Sequence, residues 1–349
     1  MKTSHKTLVI RFSSIGDILL STPLLRVLRA RFPQGQIDYV TRSEYAQLVR
    51  FNANLNVTYE FNAATGFTGL RELKKKLRRE RYDLVIDLHN SIRSRFLRSM
   101  RGVGSIVTIN KRIKERTLLI RFKKNTYDLI VPVGDRYIET VREFGIQSDG
   151  KGPEIHIPDE ILFGVSGKIA KLRLNKFEHV AGLCPFARHS TKEWPAERFI
   201  ELGVKVANEL NGAIMIFGGG PDKARADHMV RSLSDSLGSE RIFNLTGELS
   251  LLESAAAMQY CDVIVTNDSG LMHLAEATEK KVVAMFGSTV EEFGFFPQNK
   301  NSVVLERKGL YCRPCTHIGR AQCPEGHFRC MTEITAEDAR RAVVEFIRQ

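Results

Sequence analysis

The sequence predicts an α/β protein of two doubly wound, Rossmann-like domains with a cleft between them. Short apolar, β-branched runs alternate with longer helical patterns, as in parallel sheets covered on both faces. That alternation stalls once near the middle of the chain and then restarts. The length, 349 residues, is also more than one hydrophobic core organises. In the first half, Thr7–Arg11, Ile37–Thr41, Asp83–Leu88 and Ser105–Asn110 read as strands, and Ile18–Arg31 and Thr68–Arg81 as helices. Pro23 kinks or restarts the first helix, with Thr22 as its cap. From Gln147 to Lys176 the chain passes Gly150, Gly152, Pro153 and Pro158 and then a polar helix. This places an N-terminal domain at 1–160, a linker at 161–176 and a C-terminal domain at 177–334. In the latter, His179–Cys184, Ala213–Phe217, Arg241–Leu245, Asp262–Thr266 and Lys281–Phe286 read as core strands. Pro195–Leu210, Pro221–Leu237, Ser250–Tyr260 and Ser269–Ala277 read as the helices between them, with Pro195 and Pro221 in first turns that tolerate proline. Thr335–Gln349 is an amphipathic helix capped by Thr335, with Glu337 and Asp338 in its first turn.

Apolar residues make up 43% and charged residues 26%, which excludes a disordered, collagen-like or small disulfide-scaffold chain. No run approaches the roughly 18 apolar residues a bilayer crossing needs. Leu8-Val9-Ile10 before Arg11 falls short of a signal-peptide core. The expectation is a cytoplasmic chain without a transmembrane segment. Six cysteines do not suggest a secreted disulfide framework.

The net charge is +12, and it is concentrated. Arg71 to Lys124 holds 18 Lys or Arg against 5 Asp or Glu. Such a patch implies an anionic partner: nucleic acid, phosphorylated sugar, or the inner face of a membrane. Lys74-Lys75-Lys76 and Arg78-Arg79 read equally well as the solvated face of an exposed helix. Arg93, Arg95, Arg98 and Arg101 follow a buried strand and are better candidates for a site.

Four loops at strand ends carry the chemistry. Arg11-Phe12-Ser13-Ser14-Ile15-Gly16-Asp17 follows the first strand, and Asp17 is either a helix cap or a general base aimed into the cleft. Asn267-Asp268-Ser269-Gly270-Leu271-Met272-His273 follows an apolar strand and opens a helix. Free amides at Ser269 and Gly270 and the positive end of the dipole form an anion site that His273, one turn on, can reach. The bland alternative leaves Asp268 and Ser269 as caps and His273 as a core histidine. Ser190, Thr191 and Lys192, just before a helix, supply two hydroxyls and a point charge suited to a diphosphate. Gly218-Gly219-Gly220 lets a ligand lie against backbone. No G-x-x-x-x-G-K-[ST] is present, nor a G-x-G-x-x-G after the first strand, which argues against a P-loop phosphohydrolase and a simple dinucleotide dehydrogenase. With no Asp-x-Asp, a carboxylate-held Mg²⁺ is not indicated.

Taken together, these motifs resemble glycosyltransferase family nine, the heptosyltransferases of the lipopolysaccharide inner core. The resemblance rests on Ser13-Ser14-Ile15-Gly16-Asp17 and Pro23, Lys192-Glu193-Trp194-Pro195, and Asp268-Ser269-Gly270-x-x-His273. It also rests on Cys312-Arg-Pro-Cys315 followed by Cys323-Pro-Glu-Gly-His-Phe-Arg-Cys330-Met331. It implies a GT-B fold with the acceptor in the first domain, the nucleotide sugar in the second, and the C-terminal helix packing back on the first. It further implies an ADP-heptose donor, a lipid A–Kdo-type glycolipid acceptor at the inner leaflet, and an inverting transfer that needs no metal cofactor. It maps the base to Asp17 and diphosphate contacts to Lys192 and the Asp268–His273 loop. Ser190, Thr191, Gly219 and Gly220 complete the candidate donor set. Ser13, Ser14, Gly16, Arg93, Arg95 and Arg98 form the candidate acceptor set. Where some members carry a Glu on the nucleotide ribose, this sequence has Gly220.

Cys312, Cys315, Cys323 and Cys330 are spaced C-x₂-C-x₇-C-x₆-C. The first pair has the spacing of a metal knuckle; the second does not. A structural Zn or Fe site with His317 or His327 as substitute ligands, a loop packed by reduced thiols, and disulfides all remain open. Within the same class, another hexosyltransferase of envelope glycans or one that glycosylates protein stays open, and two other classes compete with the transferase: a nucleotide-sugar epimerase of the same architecture, and a basic module that binds nucleic acid. The latter leaves the Asp17 and Asp268–His273 loops without a role, and no nucleic-acid partner is expected.

Overall fold

A computed structural model describes residues 5–348. They gather into two compact units. One runs through Arg112 and resumes at Val131–His156; the other comprises Ile113–Ile130 and the chain from Ile157 on.

In the first unit β1 (Lys6–Ile10) leads through α1 (Ile15–Leu19) into α2 (Thr22–Arg31). β2 (Gln36–Arg42) and α3 (Gln47–Arg50) precede β3 (Val57–Phe61). α4 (Gly66–Glu80) crosses to β4 (Leu84–Asp87), and α5 (Ile92–Arg98) to β5 (Ser105–Thr108). The strands pair in parallel in the order β3-β2-β1-β4-β5. α4 shows why helices cover this sheet: Leu70, Leu73 and Leu77 bury one stripe, while Lys75, Lys76, Arg78 and Arg79 face water. The helix expected at Ile18–Arg31 is two helices. Pro23 lacks the amide that continuation requires, so the chain restarts; Thr22 stands at the first helical position, with Ser21 rather than Thr22 as N-cap.

The second unit takes α6 (Ile113–Phe122), while α7 (Val133–Glu139) returns to the first and packs on α2. Then follow α8 (Asp159–Ala170), β6 (His179–Cys184), α9 (Ala196–Glu209), β7 (Gly212–Ile216), α10 (Lys223–Leu237) and β8 (Ile242–Asn244). α11 (Leu251–Met258), β9 (Val263–Asn267), α12 (Gly270–Ala277), β10 (Lys281–Phe286), β11 (Ser302–Glu306), α13 (Arg329–Thr332) and α14 (Ala336–Arg348) complete it. This sheet is also parallel, in the order β11-β10-β9-β6-β7-β8. β7 and β9 are buried at every residue, as strands covered on both faces must be.

Three expectations about the domains change. The segment expected as a linker at 161–176 is largely α8, which packs on α11 and pairs Lys168 with Glu253 at 2.6 Å. Residues 113–130, expected in the first domain, belong to the second unit. The C-terminal helix, expected to pack back on the first domain, buries its apolar stripe in the second unit. Ala339, Val343, Val344 and Phe346 join the core of that unit, and α14 packs on α9, β9, β10 and β11. Its start is as expected: Thr335 and Asp338 form a reciprocal cap, with the hydroxyl 2.6 Å from the carboxylate. Gln349 lies outside the described residues. The same core encloses Trp194, edge-on to Phe199 at 4.9 Å, with its indole N–H donating to the Ile334 carbonyl.

Candidate functional sites

Each sheet has one place where the strand order reverses, and ligands of doubly wound sheets bind there, beyond the carboxyl ends of the strands. In the first unit the reversal falls between β1 and β4; in the second it falls between β6 and β9. The segments after these four strands hold most of the residues singled out from sequence; Gly219 and Gly220 follow β7 and the four clustered cysteines follow β11.

After β1, Asp17 sits in the first turn of α1 and is mostly buried. Its Oδ2 accepts from the Ser14 amide at 3.2 Å and the Ser14 hydroxyl at 2.9 Å. Oδ1 lies 2.5 Å from Arg11 Nη2 and accepts from the Tyr137 hydroxyl at 3.2 Å. Burial pushes the carboxyl up, but the Arg11 guanidinium and the Ser14 donors outweigh it, so Asp17 is held below the usual carboxylate range. Arg11 is itself fixed, donating Nε to the Ser13 carbonyl at 2.8 Å and Nη1 to the Leu88 carbonyl at 2.5 Å. Asp17 is therefore cap and oriented carboxylate at once. Gly16 is buried within α1, and Ser14 is exposed. Arg11 and Tyr137 were not singled out from sequence. Arg11 lies in the same loop, whereas Tyr137 arrives from α7, which no local pattern signals.

After β4 the buried Asp87 organises the turn. Its Oδ1 accepts the amides of His89 at 3.0 Å and Asn90 at 2.7 Å; its Oδ2 takes Arg98 Nη1 at 2.9 Å. The three arginines expected to act together thus differ. Arg98 is tied to a fully buried carboxylate, while Arg93 and Arg95 are exposed on α5, with Arg95 Nε 3.3 Å from Asn90 Oδ1. The aspartate that claims Arg98 is eleven residues upstream, in the strand. His89 sits beside this turn, edge-on to Phe12 at 5.3 Å, and burial together with the Arg11 and Lys111 cations depresses it to about 4.

In the second unit the β6 and β9 loops are stitched together. Asn267 donates to the Pro185 carbonyl at 2.8 Å and accepts the Trp194 amide at 2.9 Å. Lys192 Nζ reaches Asp268 Oδ2 at 2.6 Å, and the Thr289 hydroxyl donates to the same oxygen at 2.7 Å. Ser269 caps α12, whose first residue is Gly270. The Ser269 hydroxyl is buried without a hydrogen-bond partner, and so is that of Ser288 after β10. A buried hydroxyl left unpaired is costly; Ser269 stands at the α12 N-terminus, and Ser288, next to Thr289, lines a small cavity with Cys312, Cys315, Cys323 and Cys330. His273 is buried on α12 with Nδ1 3.3 Å from Glu276, whose other oxygen accepts the Gln298 amide at 2.5 Å and the Asn299 amide at 3.1 Å. The sequence reading missed Ser288, Thr289 and Glu276; the Gly287-Ser288-Thr289 turn after an apolar strand was the available signal.

Two expected donor contacts are committed elsewhere. The Thr191 hydroxyl accepts the Arg320 amide at 2.7 Å and donates to the Arg320 carbonyl at 3.2 Å, so it fastens its loop to the 307–333 segment. The Gly219 amide donates to Asp222 at 3.1 Å. Ser190 is exposed beside them. At Gly218 a Cβ would come within 2.7 Å of the Phe186 ring and 2.9 Å of the Thr246 methyl, so any side chain there would force them to move. A Cβ at Gly220 meets nothing within 4 Å, so the space above it is open.

Cys312, Cys315, Cys323 and Cys330 line one small cavity, and none is in a disulfide. His317, the other substitute ligand considered, is not among its lining residues; His327 is. Cys184 and Cys261 are buried in the core. Among the described residues no helix is long and apolar enough to cross a membrane.

The family model of glycosyltransferase family 9 (heptosyltransferase) matches residues 70–327. The chain is 26% identical over 346 residues to lipopolysaccharide heptosyltransferase 2 of Escherichia coli K12, covering 95% of each chain. Two solved structures share the fold. One is a family 9 glycosyltransferase from Veillonella parvula, with TM-score 0.82, 23% identity, and 98% and 97% of the two chains covered. The other is the ADP-heptose lps heptosyltransferase II of E. coli, with TM-score 0.75, 22% identity, and 99% of each chain covered. Two parallel doubly wound units, an anion-ready reversal point in the second, and a family match over most of the length agree: the chain belongs to glycosyltransferase family 9, the heptosyltransferases, and is a GT-B enzyme.

Proposed function

We propose that the protein transfers heptose from ADP-L-glycero-D-manno-heptose to the inner core of lipopolysaccharide, on lipid A–Kdo or its monoheptosylated form. The transfer inverts the anomeric centre and uses no metal. The observation that carries this reading is Asp17: an ionised, oriented carboxylate at the reversal point of the first sheet, in a family 9 chain. The name borne by the E. coli relative, lipopolysaccharide heptosyltransferase 2, supports the acceptor class.

In this mechanism the second unit holds the donor. The diphosphate lies on the α12 N-terminus, taking the Ser269 and Ser288 hydroxyls and the Gly270 amide, with Lys192 and His273 beside it. Lys192 is shared with Asp268, so it is positioned before the donor arrives. An acceptor hydroxyl held by the first unit attacks the anomeric carbon from the face opposite the diphosphate. Asp17 takes its proton as the bond forms, a contribution of about 10²–10⁴ in rate. Charge then grows on the departing ADP, where the preset donors stabilise it. Arg93 and Arg95 contact the acidic sugars and phosphates of the acceptor, which lies in the inner leaflet of the membrane.

Turnover of ADP-heptose on heptose-free and monoheptosylated lipid acceptors, by wild type and Asp17→Asn, tests this. The expected result is transfer to one of the two by wild type and a loss of about 10²–10⁴ in kcat for the variant. Retained turnover in Asp17→Asn removes the residue as base. Conversion of the nucleotide sugar without acceptor favours an epimerase instead.

A further inference from the structure

The cysteine cavity shares only Ser288 with the transfer just described, yet its composition is specific. Cys312, Cys315, Cys323 and Cys330 surround a space of about 10 Å³, room for one water-sized sphere. All four are free thiols, brought together from a 19-residue stretch with little regular structure. We infer that these four cysteines bind one soft divalent cation, Zn²⁺ or Fe²⁺, as a tetrahedral four-thiolate site that braces the second unit's loops.

His327 lines the same cavity and has to be placed first. Its Nδ1 accepts the Arg329 amide at 3.0 Å, so the neutral ring carries its proton on Nε2. Nε2 in turn lies 3.7 Å from Cys312 Sγ. A ring in that tautomer has no lone pair to offer a metal from Nε2; it donates N–H to the sulfur. His327 is therefore a hydrogen-bond partner of a ligand, and the ligand count falls to the four sulfurs.

Charge points the same way. Four thiolates on a divalent cation leave a net charge of −2, with four protons released to solvent on binding. Three cations sit around the loop. Arg313 lines the cavity, paired with Glu306 at 2.5 Å, and Glu325, which accepts the Tyr311 hydroxyl at 2.6 Å, lines it too. Lys123 Nζ rests on the Cys312 and Pro314 carbonyls at 2.9 and 2.6 Å. Arg320 rests on the Cys315 carbonyl at 3.2 Å. Among the described residues no three His, Cys, Asp or Glu side chains already form a metal-ready group. Capture therefore requires the four sulfurs to draw closer together than they stand here.

The site has a mechanical use. The same segment holds both donor-side loops: Arg320 clasps Thr191 next to Lys192, and Arg313 donates to the Gly287 and Thr289 carbonyls at 2.6 and 2.7 Å. An ion in the cavity stiffens the props under Lys192, Ser288 and Thr289.

The test uses the full chain purified without chelator. Elemental analysis is expected to find about one zinc or iron per chain. After chelator treatment under reducing conditions, Co²⁺ titration is expected to give thiolate-to-cobalt charge-transfer and tetrahedral d–d bands that saturate at one equivalent and vanish on adding Zn²⁺. Cys323→Ser is expected to weaken Co²⁺ binding at least tenfold, and His327→Gln to keep the four-sulfur spectrum. Absence of both native metal and cobalt bands in folded wild type overturns the site, as does a mass deficit showing disulfides. A cobalt spectrum lost in His327→Gln but retained in Cys330→Ser overturns the four-thiolate assignment. The wild-type titration stands even if a cysteine variant fails to fold, and none of these readouts depends on turnover.

Discussion

Arg11 gives Asp17 an advantage and a cost together. An ion pair at 2.5 Å keeps the carboxylate charged and aimed, but a carboxylate stabilised as an anion is a weaker base. Burial alone raises the Asp17 pKa; Arg11 is the largest of the groups that bring it down. Arg11→Met is therefore expected to move the acid limb of kcat/KM to higher pH, because protonated Asp17 cannot accept the acceptor's proton. Arg11→Lys should move it less. A pH–rate profile of the three proteins decides, and a limb that stays in place removes Arg11 from this role. The sign for stability follows from the same shift. A carboxyl depressed in the folded state contributes stability that is fully present above its unfolded value near about pH 4, and loses it as pH falls through the lower folded value. Arg98 shows a different division of labour. Its partner Asp87 is fully buried, so Arg98→Gln leaves a buried charge with only two amide donors and is expected to cost about 1–3 kcal/mol. Arg93→Gln, on an exposed side chain, should leave stability unchanged and raise KM for the acceptor. Urea melts beside acceptor titrations separate the two, and equal behaviour of both variants contradicts the distinction.

At the scale of elements, the sequence was legible where one local pattern settles the outcome. The loops after β1, β6 and β9 announced themselves because a buried apolar strand, a turn residue and a capped helix occur in succession, and the fold then places them at the two reversal points. Two of the four edge strands, β3 and β11, were not legible, although the other two, β5 and β8, were. Both are largely exposed or half-buried and carry a carboxylate, Glu60 in β3 and Glu306 in β11, so neither β3 nor β11 reads as a fully apolar strand. Nor was the binding partner of a helix. The amphipathic stripe of α14 was plain, but a stripe says only that something covers it; that α9 and β9–β11 do so depends on the whole second unit. The same holds for Thr191 and Arg98, whose chemistry fitted a ligand until Arg320 and Asp87 claimed it. The destination of α14 has a consequence for stability. Phe346 is buried in the second unit's core, so Phe346→Ala is expected to cost about 3–5 kcal/mol there. The loss should appear in the unfolding of the second unit, followed by Trp194, the only tryptophan, whose indole bonds the residue two before α14 begins. Unchanged Trp194 fluorescence melting in Phe346→Ala contradicts this packing.

For the whole molecule, the question is where the +12 charge acts. The basic segment Arg71–Lys124 spans both units, since the boundary falls after Arg112. Through Arg112 it carries 13 Lys or Arg against 4 Asp or Glu, and beyond it 5 against 1. Within the first unit the cations form two groups. Lys75, Lys76, Arg78 and Arg79 lie on the water-facing side of α4, away from its Leu stripe, whereas Arg93 and Arg95 project from α5 beside the β4 turn. A membrane carrying anionic headgroups attracts any basic face within a Debye length, whereas in the proposed mechanism an individual acceptor sugar touches only the groups at the reversal point. The two groups should therefore separate by assay. Replacing the four α4 residues with glutamine is expected to weaken binding to vesicles of mixed neutral and anionic phospholipid by roughly fivefold per charge at low salt. That binding should fall steeply with added salt in wild type, and kcat/KM on a delipidated acceptor should stay constant. Arg93→Gln with Arg95→Gln should do the reverse, raising KM for the delipidated acceptor with a smaller effect on vesicles. If the α4 variant binds anionic vesicles as wild type does, that face is only solvated, and the charge excess acts through the acceptor site alone.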